Sequence, residues 1–293
     1  MQIQKNKSIT WIDVVAPKED DLVALKKTFS LHPLIVEELR APSARARVEA
    51  TDDYLFFIYY FPLYDTKDEA SIRSEIDIIV NKNTVATIHY EPLENVFGKF
   101  EMDNITSSLE LMSRIIEHLL VFEERQLRHI REKVERIGRD VFKSQERGVL
   151  ERIMSLKRDI SEYRLSVRLQ EPILKSLLQK GIKFWDGDAE VYLNELIGEQ
   201  MKVISQIQDY RETITDFEET NNQLMNLKIN ETIKRLTVIS FVAFPAILIE
   251  ELFTMNVKGV PLANMPDSFW IVFVIMVILS GSLFIYVKRK DLL

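Results

Sequence analysis

"VAFPAILIEELFTMNVKG" (Val242–Gly259) is an apolar run interrupted by two adjacent carboxylates, Glu250 and Glu251. Fourteen uncharged residues, Leu236 to Ile249, lead into the pair, and uncharged residues resume as far as Val257. To span a hydrocarbon core of about 30 Å the run needs Leu236 to Met255, with both glutamates included. A carboxylate at mid-bilayer costs several kcal/mol unless water or a partner solvates it. The pair therefore has to lie where water or a cation reaches it.

A second run, "FWIVFVIMVILSGSLFIYV" (Phe269–Val287), has nineteen residues without a charge. At 1.5 Å per residue it nearly matches the same thickness. Trp270 and Tyr286 stand near its two ends, as aromatic belts do. Lys228, Lys234 and Arg235 precede the first run, and Lys288, Arg289 and Lys290 follow the second. The intervening loop carries only Lys258 and Asp267. Basic residues stay on the cytoplasmic side. Both termini are thus expected in the cytoplasm, the short loop outside, and Glu250 and Glu251 toward the outer end of the first helix.

The whole chain has 293 residues and a net charge of −7. That average conceals an asymmetry, since charged side chains crowd the first 235 residues and the two apolar runs fall in the remainder. An acidic chain without a basic patch is not expected to bind nucleic acid, where phosphate neutralisation dominates affinity. Cysteine is absent, which excludes disulfides, thiolate catalysis and zinc sites built on cysteine. "MQIQKNKSITW" at the start lacks the apolar core of a signal peptide.

Residues 1–100 read as a mixed α/β domain. "TDDYLFFIYYFPLY" (Thr51–Tyr64) is aromatic and rich in strand formers. "SEIDIIVNKNTVATIHY" (Ser74–Tyr90) reads as two strands about the turn Asn81-Lys82-Asn83. "DLVALKKTFS" and "HPLIVEELR" read as short helices. From about Asn104 the pattern turns helical. Leu127, Ile130, Val134, Ile137 and Val141 recur every three or four residues, as do Ile153, Leu156, Ile160, Tyr163 and Val167. Such spacing marks long helices packed on long helices. Breaks are expected at Gly148 and within "QKGIKFWDGD" (Gln179–Asp188). A third long helix, from near Ala189, meets no break before Pro245 and is expected to continue as one rod into the membrane.

Four histidines, His32, His89, His118 and His129, show no paired metal-ligand spacing. His118 and His129 fall on a charged helix and are expected to be solvated. No phosphate loop, nucleophile elbow or catalytic dyad stands out, so an enzyme is not expected.

"LHPLIVEELRAPSARARVEATDDYLFFIYYFP" resembles the N-terminal domain of the CorA family of divalent-cation channels, and "NLKINETIKRLTVISFVAFPAILIEELFTMNV" resembles its stalk and pore helix. The family signature, Tyr-Gly-Met-Asn ahead of a loop containing Met-Pro, stands here as Phe253-Thr254-Met255-Asn256 with Met265-Pro266. The resemblance covers nearly the whole chain. It implies an α+β cytoplasmic domain, coiled-coil-like helices and two C-terminal transmembrane helices in a funnel-shaped homopentamer. It also implies a channel for Mg²⁺ or related divalent cations in the inner (plasma) membrane, gated by cytoplasmic metal, with no hydrolysis.

The matching register puts Asn230, Ile233, Thr237 or Leu236, Ser240, Phe244, Ile247, Glu251, Thr254, Met255 and Asn256 on or near the pore. The three-and-four spacing of 233, 237, 240, 244, 247 and 251 places these on one helix face independently. Phe244 and Ile247 form an apolar constriction that gates by dewetting, and Glu251 becomes a ring of carboxylates that selects cations. Glu250, about 100° around the helix, is assigned to a neighbouring helix or the headgroups. For the inhibitory inter-subunit metal site the resemblance implies Glu37 and Glu38 from one subunit and Glu195 from the next, as oxygen ligands.

The signature glycine is Thr254 here. Because a β-branched residue is strained at positive φ, either the backbone differs or the position never needs positive φ. The expected organisation is 1–100 α/β domain, 101–188 long antiparallel helices, 189–256 stalk and first span, 257–268 outer loop, 269–287 second span and 288–293 basic tail. The partners expected are a second copy of the chain, the bilayer and divalent cations. Two further readings remain: a carrier for Zn²⁺, Co²⁺ or Ni²⁺, including a proton-linked one, and a non-conducting membrane-anchored scaffold.

Overall fold

The structure is a computed structural model and describes all residues except 7, 44, 66–69, 99, 144–146, 186–187, 255–266 and 291–293. The chain divides into two compact units, Met1–Glu218 and Glu219–Leu293.

Unit one opens with strands β1 (Gln2–Asn6) and β2 (Ile9–Val15), then helices α1 (Glu19–Phe29) and α2 (Pro33–Glu38). Strands β3 (Val48–Ala50), β4 (Leu55–Asp65), β5 (Ala70–Val80) and β6 (Thr84–His89) follow. The six strands form one sheet in the order β1-β2-β6-β5-β4-β3. Every pairing is antiparallel except that of β2 with β6, which is parallel. The expected hairpin about Asn81 is β5–β6. Its turn is closed by the Asn81 side-chain oxygen, which accepts the N–H groups of Asn83 at 3.0 Å and Thr84 at 2.7 Å. Strands β1 and β2 are additions to the expected organisation. β1 pairs along β2 from Gln2 opposite Asp13 to Asn6 opposite Ile9.

The aromatic run in β4 is buried on both faces, which is why it reads as continuous rather than alternating. Leu55, Phe57, Tyr59 and Phe61 join the core beneath the long helices, while Phe56, Ile58 and Tyr60 join the core beneath α1 and α2. The sheet is thus the middle of three layers. α2 starts as its sequence dictates, with Pro33 in the first turn and the His32 ring accepting the Leu34 N–H at 3.3 Å.

After the one-turn α3 (Glu94–Phe97) come α4 (Ser108–Lys143), α5 (Arg147–Arg168), α6 (Gln170–Phe184) and α7 (Ala189–Thr254). Both series of periodic apolar residues on α4 and α5 are buried. Gly148 is itself helical, and residues 144–146, between α4 and α5, lie outside the described residues. The second break falls within the expected stretch, between Phe184 and Ala189. A further break stands at Leu169. There Pro172, without an N–H, would collide with the carbonyl of Arg168 in a continuous helix, and α5 and α6 are divided.

His118 and His129 are not solvated, contrary to expectation. His118 Nε2 is 2.7 Å from the Val96 carbonyl. His129 stacks on Tyr64 at 3.9 Å between ring centroids and meets Asp159 of α5 at 3.1 Å. Burial pushes the Asp159 carboxyl up, but hydrogen bonds from His129, Lys133 and the Ser71 backbone outweigh it and hold the group well below the usual carboxylate range.

The division between units falls inside α7, after Glu218. Unit two holds the remainder of α7, with Pro245 inside the helix, and α8 (Ser268–Arg289). Both helices are long and apolar enough to cross a membrane, and only 6% of each apolar window is buried. The core helix of a water-soluble protein is mostly covered, so these two present their apolar surface outward.

Candidate functional site

Within unit two, α7 has two opposed faces. Val238 is buried, and Val242, Ala243, Pro245, Ala246 and Ile249 are partly covered. On α8 the covered residues are Val272, Met276, Ser280, Leu283 and Val287, again three or four apart. These are the faces the two helices turn into the hairpin. Asn230, Ile233, Leu236, Thr237, Ser240, Phe244, Ile247, Glu251 and Thr254 are all exposed. At 100° per residue the mean direction of this stripe lies roughly 180° from that of the covered face. One side of α7 is spent on α8, and the opposite side presents the candidate ion pathway to whatever lies beyond the single chain.

Along that side the chemistry changes in steps. Asn230, Thr237 and Ser240 are polar, although the Thr237 hydroxyl donates to the Ile233 carbonyl at 2.9 Å. Phe244 and Ile247, at 57% and 53% exposure, follow without a polar atom between them on the stripe. Glu251 restores charge one turn further on. Thr254 then ends α7 in helical conformation. Its φ is not positive, unlike that of Asp267 before α8, at 68°. The Thr254 hydroxyl donates to the Glu251 carbonyl at 2.9 Å, as the Thr237 hydroxyl does to that of Ile233. A β-branched residue is therefore accommodated without strain. Met255 and Asn256, the rest of the signature, lie outside the described residues, as does the loop with Met265-Pro266.

Glu250 points elsewhere. With Phe253 and Thr254 of α7 and Phe269, Val272, Phe273 and Met276 of α8 it lines a cavity of about 570 Å³ at one end of the hairpin. The two neighbouring carboxylates thus serve different surfaces, as their 100° offset requires.

The residues assigned to the cytoplasmic metal site lie on α2 and α7. Glu37 is exposed and accepts from Arg40 Nε at 2.8 Å. Glu38 is engaged on both oxygens, by the Ser43 hydroxyl at 3.0 Å and by the Arg47 guanidinium. Glu195 is exposed on α7. Among the described residues no three His, Asp or Glu side chains converge as metal ligands, so these glutamates do not make a cation site within one chain. Arg47 was not singled out in the sequence. It reaches Glu38 from nine residues away in a loop, where no helix or strand period advertises the pairing.

Over residues 6–289 the sequence matches the family described as CorA-like Mg2+ transporter protein. The cobalt/magnesium transport protein CorA of Methanocaldococcus jannaschii is 24% identical over 295 residues, spanning 97% of this chain and 90% of that protein. The cobalt/magnesium transport protein CorA of Thermotoga maritima is 20% identical over 295 residues, spanning 96% and 82%. Among solved structures, the complete CorA magnesium transporter from Methanocaldococcus jannaschii superposes with a TM-score of 0.82 at 22% identity, covering 98% of this chain and 92% of that one. At this identity the likeness is one of fold.

Proposed function

The chain belongs to the CorA-like Mg2+ transporter family, and on that premise we propose that it conducts divalent cations, Mg²⁺ first, across the inner (plasma) membrane. The family is one of transporters rather than enzymes. The observation that carries the reading is the opposition of faces on α7, where α8 covers one side and a stripe from Asn230 to Thr254 is left open on the other. A helix with one face committed to its hairpin partner and a polar–apolar–acidic stripe opposite suits a ring of copies around an axis.

In a homopentamer the stripe lines the pore. Phe244 and Ile247 then make an apolar neck that empties of water when closed. Glu251 makes a carboxylate ring just outside it, and Thr254, Met255 and Asn256 form the outer mouth, where a hydrated cation is first held. The basic residues flanking the two spans keep both termini in the cytoplasm. Apolar side chains such as Phe269, Trp270 and Phe273, exposed in the single chain, are covered by lipid or by neighbouring copies, where each gains about 1.5–3 kcal/mol relative to water.

Regulation by cytoplasmic metal rests on Glu37 and Glu38 facing Glu195 of the adjacent copy. Glu195 and Glu37 offer oxygens on exposed surfaces. For Glu38 to ligate, Arg47 has to release it, so a bound cation competes with an ion pair already present. Uptake of Mg²⁺ by liposomes containing the purified protein tests the proposal. Vesicles that remain closed to every divalent cation refute it.

A further inference from the structure

The parallel pair β2–β6 sets Asp13 beside Thr87 and Val15 beside His89 at the carboxyl ends of the two strands, where α/β sheets commonly hold ligands. These residues belong neither to the α7 stripe nor to the Glu37, Glu38 and Glu195 set. Asp13, Val15 and His89 open onto a cavity of about 400 Å³, also lined by Gln2, Gln4, Trp11 and Phe97. No lysine or arginine is among its described lining residues.

The hydrogen bonds fix most of the protons. His89 Nδ1 is 2.5 Å from the Glu91 carbonyl, which can only accept, so Nδ1 carries a hydrogen. Nε2 faces the Asp13 carboxylate, 3.3 Å from Oδ1 and 3.4 Å from Oδ2. A charge-assisted N–H···O bond closes to about 2.7–2.9 Å. Here the nitrogen stands farther off, nearly equidistant from both oxygens. Two ligand atoms each about 2.1 Å from a metal at a near-tetrahedral angle stand about 3.4 Å apart.

The surroundings hold the pair as metal ligands are held. The Trp11 indole N–H donates to the Thr87 hydroxyl at 2.9 Å, and that hydroxyl donates to Asp13 Oδ1 at 2.5 Å. Asp13 is thereby oriented, and the Glu91 carbonyl engages Nδ1 so that Nε2 is the nitrogen turned toward Asp13, as in the outer-shell arrangement around a ligating histidine.

We propose that His89 and Asp13 form a binding site for a transition-metal dication of the Co²⁺, Ni²⁺ or Zn²⁺ class in the α/β domain, with a Gln2 or Gln4 amide oxygen and water completing the shell. Imidazole nitrogen suits these ions, whereas Mg²⁺ favours an octahedron of oxygens. The site therefore discriminates where oxygen-only sites do not, and it takes its ion in the presence of Mg²⁺.

Titrating the full-length protein in detergent with Co²⁺, under a large excess of Mg²⁺ that fills oxygen-only sites, tests this. The wild type binds one more Co²⁺ per chain than H89Q or D13N, with visible d–d absorption that both variants lose. T87V, which leaves both ligands but removes the bond that orients Asp13, binds that ion about 10- to 100-fold more weakly. On the wild type alone, Zn²⁺ shifts the ¹⁵N resonance of His89 Nε2 while Nδ1 keeps its proton, a readout independent of how well the variants fold. Equal Co²⁺ stoichiometry in wild type and folded variants overturns the proposal. So does a His89 ring that keeps protons on both nitrogens in the presence of Zn²⁺, since the pair is then an imidazolium–carboxylate contact only.

Discussion

Glu250 and Glu251 show how far a single residue can be read from its neighbours in sequence. A helix turns side chains by 100° per residue, so adjacent carboxylates cannot share a surface, and the structure puts Glu250 in the hairpin cavity and Glu251 on the open stripe. If Glu251 concentrates cations at the mouth, E251Q lowers Mg²⁺ flux at sub-saturating concentration by roughly tenfold or more, in the range that charged clefts gain for counter-ions. Equal flux in wild type and variant, across Mg²⁺ concentrations, removes Glu251 from that role. Partners distant in sequence were not legible. Glu123 of α4 is one such residue, fully buried, accepting from Gln170 at 2.6 Å, with its other oxygen unpartnered among the described residues. Burial pushes its carboxyl well above the usual range, and the Gln170 hydrogen bond offsets this only in part. Its folded-state pKa is raised, so the stability it allows is complete below the unfolded value of about 4.3 and declines as pH rises above it. E123Q, which stays neutral, is therefore more stable than wild type at pH 8, and the gap shrinks toward pH 5, by at most about 1.4 kcal/mol per pH unit. Thermal unfolding at the two pH values checks this, and a gap independent of pH contradicts it.

At the scale of elements, what was legible was what repeats. The periodic residues of α4 and α5 are buried as their spacing required, because a helix packed on helices has to cover one stripe. The hairpin β5–β6 was legible because Asn81 closes its turn locally. The pair β1–β2 was not, although "ITWIDVV" is rich in β-branched residues, since β2 gains its place from parallel pairing with β6, some seventy residues away. Pro172 carried the missed break, and its signal was present, since the first turn of a helix is where a proline fits without costing a hydrogen bond, whereas Pro245 lies inside α7. On α7 the proposed neck at Phe244 and Ile247 is a matter of element geometry too, because their three-residue spacing keeps both on one face. Widening it with F244A lowers the barrier of the closed state by about 1.4 kcal/mol, a roughly tenfold higher resting leak of Mg²⁺. A leak no greater than wild type places the closure elsewhere on the stripe.

For the whole molecule, the asymmetry of charge along the chain separates a charged part from two apolar runs, and the chain divides into two units after Glu218, within α7. Assembly was not legible in the residues alone, because a surface that faces a second copy looks, in one chain, like any exposed surface. The stripe on α7, apolar and polar in turn and opposite the face that α8 covers, is left open among the described residues, and we propose that it is that kind of surface. On the proposed reading the partner is a further copy of the same chain, and the row of exposed side chains is a conduit. The measurement that tests this most directly is Mg²⁺ entry into liposomes carrying the purified protein, driven by an inside-negative potential and followed by an enclosed Mg²⁺ indicator. The account predicts entry that rises with the potential and is slowed by competing Co²⁺. Liposomes that show no more entry than protein-free ones, for Mg²⁺ and for Co²⁺, Ni²⁺ and Zn²⁺ alike, contradict it.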